Sequence, residues 1–154
     1  MFLLLYAQYV LVKYMMMHLP NLRAAQTLAQ RLADMAWAGK IVYLQGNLGA
    51  GKTTFVQALL CALGYEGRVK SPTYTLLETY VLSELTVYHF DLYRIADPEE
   101  LEWLDMRACF TENALVIVEW PEKGQGFLPK PDVTLQFSYQ DTQRIVTMTP
   151  SLLS

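Results

Sequence analysis

What this 154-residue chain has little of narrows its function first. It holds only two cysteines, Cys61 and Cys109. They stand far apart, match no metal-ligand or redox spacing, and read as buried reduced thiols of a cytoplasmic protein. No block of Lys and Arg stands out, and 12 basic residues against 15 acidic ones leave a net charge of −3. That is a poor basis for gripping nucleic acid unaided. Residues 1–12 are almost all apolar, but the run is too short to cross a bilayer. It has no basic segment before it and no A-x-A-like site after it, so neither a membrane span nor a secretory leader is expected. No internal repeat and no low-complexity linker occur. With 53% apolar and 18% charged residues, the composition is that of one globular domain.

What is present centres on Gly46-Asn47-Leu48-Gly49-Ala50-Gly51-Lys52-Thr53-Thr54, a full match to the phosphate-binding pattern G-x-x-x-x-G-K-[ST]. The glycines let the backbone turn tightly and bring N–H groups up to a polyphosphate. The following helix aims its unsatisfied N–H groups and positive dipole end at the same anion. Lys52 supplies a point charge for the β- and γ-phosphates, and the Thr53 hydroxyl is placed to ligate a bridging Mg²⁺. The context fits on both sides. Ile41-Val42-Tyr43-Leu44 is a β-prone run, and Phe55, Val56, Leu59, Leu60 and Leu63 recur at helical spacing before Gly64, a helix stop.

Elsewhere, Asn21 is placed to cap a helix carrying an apolar stripe of Leu22, Ala25, Leu28, Ala29, Leu32 and Ala36. After a loop over 65–70, Ser71-Pro72-Thr73-Tyr74-Thr75 is a hydroxyl-rich turn. Residues 76–81 and 85–90 read as a hairpin. Asp97-Pro98-Glu99-Glu100 reads as a helix start, with Leu101, Trp103, Leu104 and Ala108 on the helix and Trp103 expected in the core. Leu115-Val116-Ile117-Val118 has the unbroken apolar character of a strand buried on both faces. Residues 133–138 and 144–149 read as a C-terminal antiparallel hairpin. The fold class is therefore α/β: a mostly parallel sheet flanked by helices, with antiparallel hairpins, in one domain over 19–150. Residues 1–18 stand apart as an apolar extension. The methionines at 15–17 give an expectation that translation starts there.

Turnover needs an acid beside the phosphates, and in open α/β sheets ligands sit beyond the carboxyl ends of the strands. Glu119 and Asp91 each follow an apolar run, at such an end. His89 is expected to face away from Asp91 as a buried, hydrogen-bonded residue. Arg94 is a candidate for phosphate charge or for a salt bridge to the acids of 97–102. Thr73 and Thr75 are candidates for sensing the γ-phosphate or for stabilising the turn.

The blocks G-N-L-G-A-G-K-T-T, K-S-P-T-Y-T-L, Y-H-F-D-L-Y-R, A-D-P-E-E-L-E and V-E-W-P-E together resemble the TsaE (formerly YjeE) family, over about 19–149. The family is the bacterial P-loop ATPase needed to make threonylcarbamoyladenosine in tRNA. The resemblance implies ATP and Mg²⁺ as cofactors, and the TsaD and TsaB proteins as partners. It implies that ATP hydrolysis resets the TsaD–TsaB transfer machinery, with tRNA met only through that complex. It implies phosphate contacts from Asn47, Leu48, Gly49, Ala50, Gly51, Lys52, Thr53 and Thr54. It also implies Mg²⁺ contacts from Thr53 and Glu119, and roles for Asp91 and Trp120. Asn47 replaces the family's usual Asp, and Ala25 stands where some members have a nucleotide-contacting threonine. A small-molecule kinase is the competing enzyme reading, but the chain lacks the Arg-rich lid segment such an enzyme usually has. A GTPase would need N-K-x-D, which is absent. A docking subunit that binds ATP without turning it over is the non-enzymatic alternative.

Overall fold

The computed structural model describes residues 14–150. Seven strands form one sheet: β1 (Met15–Leu19), β2 (Lys40–Gln45), β3 (Leu77–Val81), β4 (Thr86–Asp91), β5 (Ala114–Glu119), β6 (Val133–Gln140) and β7 (Gln143–Thr149), in the order β1-β7-β6-β2-β5-β4-β3. The centre is parallel: β2 pairs with both β5 and β6, and β5 with β4. Antiparallel pairs close both sides, β3 on β4 and β6–β7–β1. The mixed α/β class read from the sequence is the class observed. The sheet starts at Met15, inside the stretch read as lying outside the domain. Met15–Leu19 is an edge strand on β7, and the expectation about the translation start concerns residues 1–13, which lie outside the described residues.

Alternation along the strands divides the core into two. Val42, Leu44, Val87, Leu115 and Ile117 join one apolar cluster with α1 (Leu22–Ala33) and α2 (Lys52–Ala62). Phe90, Val116 and Val118 join the other, covered by residues 92–109. β5 is buried along its whole length, as its continuous apolar run implies. Asn21 caps α1 as expected, its side chain accepting from Ala24 N–H at 3.0 Å. The stripe is shorter than expected, because Leu22 and Ala36 are exposed. Trp37 fills in beyond the helix end, its indole donating to the Leu32 carbonyl at 2.6 Å.

The second face departs most from expectation. Asp97 and Glu100 tie the turn ahead of the helix: the Asp97 side chain accepts from Glu99 N–H, and the Glu100 carboxylate from the N–H groups of Ala96 and Asp97. The N-cap position itself falls on Glu99 and not on Asp97. The helix they start, α3 (Glu100–Trp103), lasts one turn. Leu101 and Met106 are both core residues, and at five residues apart no continuous helix can turn both inward. The chain breaks at Asp105 (φ +46) and resumes as a short 3₁₀ turn over Met106–Cys109. Trp103 is left 88% exposed, not in the core. Cys109 is buried, but Cys61 is exposed, against the expectation for both thiols.

Candidate functional site

The parallel centre brings three strand ends together. Leu44 and Asp91 both stand in register with Glu119, so β2, β5 and β4 finish side by side. β2 runs straight into the glycine-rich loop. Gly46 there has φ +137, and a Cβ on it would lie 2.5 Å from the Phe137 carbonyl oxygen. The loop passes β6 so closely that only glycine fits. α2 then starts behind Gly51 (φ +102) with no side chain capping its first turn, unlike α1. Its leading N–H groups are thus left for an anion.

Lys52 is buried and donates to the carbonyls of Gly46 and Asn47, the latter at 3.0 Å. Its ammonium also lies 4.3 Å from the centroid of the Trp120 ring. Burial lowers its pKa from the ordinary 10.5, while Glu119, then Asp91 and Glu122, pull the other way. Trp120 takes up this place through a left-handed backbone (φ +57) immediately after β5, with Tyr93 packed against it at 5.0 Å. A non-glycine residue in that region is uncommon and costs about 1–2 kcal/mol.

Thr53 Oγ1 donates to Glu119 Oε1 at 2.9 Å. Asp91 accepts from Thr73 Oγ1 on one carboxylate oxygen and from Tyr93 N–H on the other, each at 3.0 Å. Glu119 and Asp91 are buried. A cleft of about 190 Å³ is lined by the loop from Leu48 through Gly49, Ala50, Gly51, Lys52, Thr53 and Thr54, together with Thr73, Asp91, Glu119 and Trp120. Pockets for drug-sized ligands run to roughly 300–1,000 Å³, so a volume of about 190 Å³ is on the scale of a polyphosphate. Asn47 is exposed and contributes its carbonyl to Lys52 instead of lining the cleft.

Three readings change. His89 does not face away from Asp91. Two residues apart on one strand, they share a face, and His89 Nε2 lies 2.8 Å from Glu119 Oε1. Among the described residues Arg94 forms no salt bridge to the acids of 97–102 and does not line the cleft; its guanidinium stacks 4.2 Å over the exposed Tyr74 ring. Thr73 stands in the cleft, whereas Thr75 turns to Glu78 at 3.0 Å. Two lining residues went unpredicted, Tyr93 and Arg144. Arg144 on β7 reaches the loop, with its Cζ 2.9 Å from where a Gly51 Cβ would sit. It bonds to the Tyr139 hydroxyl at 3.1 Å, and that hydroxyl donates to the Gly49 carbonyl at 3.2 Å.

A family model described as threonylcarbamoyl adenosine biosynthesis protein TsaE matches residues 19–146. The chain belongs to the TsaE family. Its relatives include the TsaE of Haemophilus influenzae, 49% identical over 108 residues, covering 70% of this chain and 68% of that one. The TsaE of Bacillus subtilis is 33% identical over 130 residues, 84% of this chain and 81% of its own. The crystal structure of Bacillus subtilis YdiB superposes with a TM-score of 0.70 at 27% identity, covering 90% of this chain and 86% of that one. TsaE proteins take part in tRNA threonylcarbamoyladenosine biosynthesis, and the fold here is a P-loop-like α/β fold. Among the described residues no helix is long and apolar enough to cross a membrane.

Proposed function

We propose that this chain is a Mg²⁺-dependent ATP hydrolase that resets the TsaD–TsaB threonylcarbamoyl-transfer complex. The observation that carries the reading is the gathering of Lys52, the Thr53–Glu119 pair and Asp91 around one phosphate-sized cleft. Lys52, fixed by two loop carbonyls, meets the β- and γ-phosphates, and the uncapped first turn of α2 adds its N–H groups. Mg²⁺ fits here because Thr53 and Glu119 present hard oxygen atoms 2.9 Å apart. That cation takes few protein ligands and completes its shell with phosphate oxygens and water. When bound, it neutralises charge shared by the β- and γ-phosphates. Asp91, with each oxygen held by one hydrogen bond, is the carboxylate left to orient the attacking water. Trp120 and Tyr93 form an aromatic wall over Lys52 that limits water at the phosphates.

The test is ATP and GTP hydrolysis with and without TsaD–TsaB, with Mg²⁺ or EDTA, for the wild type and for Lys52→Ala and Glu119→Ala. Mg²⁺-dependent turnover that prefers ATP, vanishes in Lys52→Ala and falls in Glu119→Ala more than ATP binding does is the expected result. Turnover indifferent to both substitutions would overturn the reading. ATP binding without turnover, even with the partners present, would favour a docking subunit.

A further inference from the structure

The proposed mechanism leaves one buried titratable side chain unused. His89 is 0% exposed, and its Nε2 lies 2.8 Å from Glu119 Oε1, the same oxygen that accepts from Thr53 Oγ1. An ionised carboxylate only accepts, so Nε2 is the donor in this pair; the tautomer follows from the hydrogen bond. His89 Nδ1 is buried without a hydrogen-bond partner among the described residues. An apolar side chain would fill this place, under the P-loop helix, without leaving a polar atom unsatisfied. The imidazole is therefore poorly explained by packing and well explained by its single bond.

We propose that His89 is the positioning residue of Glu119. The inference rests on the reading of Glu119 as the metal-organising acid. Glu119 ends β5 and could turn its carboxylate toward Lys52, toward Asp91 or along the strand. Donors fix Oε1 from two sides, Thr53 from α2 and His89 from β4, and so fix the direction of the whole carboxylate. Thr53 is itself a proposed Mg²⁺ contact. His89 is thus the donor that holds Glu119 without having to serve the cation as well. Partners of this kind orient the ligating group, and their loss typically lowers metal affinity or activity about 10- to 100-fold.

Three substitutions test this, with kcat, KM and ADP affinity measured in Mg²⁺ and in EDTA. His89→Leu removes the donor. His89→Gln keeps an N–H near the Nε2 position. His89→Asn is polar, but its amide stops near Nδ1 and cannot reach Glu119. The expected result is a fall in kcat of about 10- to 100-fold in His89→Leu and His89→Asn, larger than any rise in KM for ATP. The Mg²⁺-dependent part of ADP affinity should shrink while affinity in EDTA holds, and His89→Gln should recover most of both losses. Combined with Glu119→Gln, His89→Leu should add little further loss, because the two act through one group. Losses that add in the double variant, or a His89→Asn protein as active as His89→Gln, would overturn the proposal. The Asn and Gln pair decides it even if the Leu protein fails to fold. If Glu119→Gln alone has no effect, it is the reading of Glu119 that fails.

Discussion

Gly46→Ala should be among the most damaging single-methyl additions available to this protein. Two separate terms add. At φ +137 the backbone occupies a region open to glycine, and holding a side-chain-bearing residue there costs about 1–3 kcal/mol. The new Cβ would also meet the Phe137 carbonyl oxygen at 2.5 Å, the Phe137 Cβ at 3.0 Å and its carbonyl carbon at 3.2 Å. Those atoms cannot easily yield, because Phe137 pairs with Val146 of β7, its neighbour Gln136 pairs with Gln45 of β2, and the Phe137 ring is buried 5.8 Å from Phe55. Overpacking of this kind costs about 1–3 kcal/mol more, giving about 2–6 kcal/mol in all. Gly49→Ala is the control: φ is +76, but a Cβ there meets nothing within 4 Å. It should lose only the backbone term, about 1–2 kcal/mol. Urea unfolding measures both, read as midpoint shifts at unchanged slope. A Gly46→Ala protein no less stable than Gly49→Ala, and still binding ADP, would refute the close approach of loop and strand.

Trp37→Phe should lose about 0.5–1.5 kcal/mol in the same assay, because the indole bond to the Leu32 carbonyl goes while that carbonyl keeps the Met35 N–H at 3.1 Å. A thiol reagent at neutral pH should label the exposed Cys61 first, while Cys109, pushed up by burial and by nearby Asp105, should react only on unfolding; equal rates would contradict this. Burial raises the Tyr43 pKa from 10.0 to about 12, so the unfolded chain releases that proton first and stability should fall as pH rises from about 10 toward 12. Tyr43→Phe should flatten that fall, followed by alkaline urea melts. Free tRNA should bind weakly to the isolated chain, since a net charge of −3 offers little phosphate neutralisation; tight, salt-sensitive retention in a filter assay would contradict it.

The elements legible in the sequence were those whose signals are local. The strand–loop–helix around Lys52, the Asn21 cap, the buried β5 run and both hairpins depend on residues within a few positions of one another, and each is observed. The segment after Asp97 failed on a different ground. Its start signal was sound, yet a cap says where a helix begins and nothing about how far it runs. The length was set by Leu101, Met106 and Cys109, which had to reach the second apolar cluster, and that demand broke the helix and put Trp103 in solvent.

The site divides along the same line. Residues inside one pattern, from Leu48 to Thr54, arrive in the cleft together because the loop carries them there. Glu119 and Asp91 were found because strand ends attract ligands in such sheets. Arg144 was missed because its place depends on sheet order: β7 lies beside β6, and β6 beside β2, which no local signal states. A positive residue on a strand next to the buried Ile145 was the only hint. For His89 the hint was stronger and was misread, since a spacing of two along a strand already puts it on the face of Asp91. Its bond to Glu119 then needs one more fact, that β4 and β5 run parallel with Asp91 level with Glu119. Parallel pairing is what converts three separate strand ends, far apart in the chain, into one cluster of donors and acceptors. The cleft is therefore built locally by the glycine-rich loop, and by the register of β2, β4 and β5 for Glu119 and Asp91, which line it, and for His89, which is bonded to Glu119.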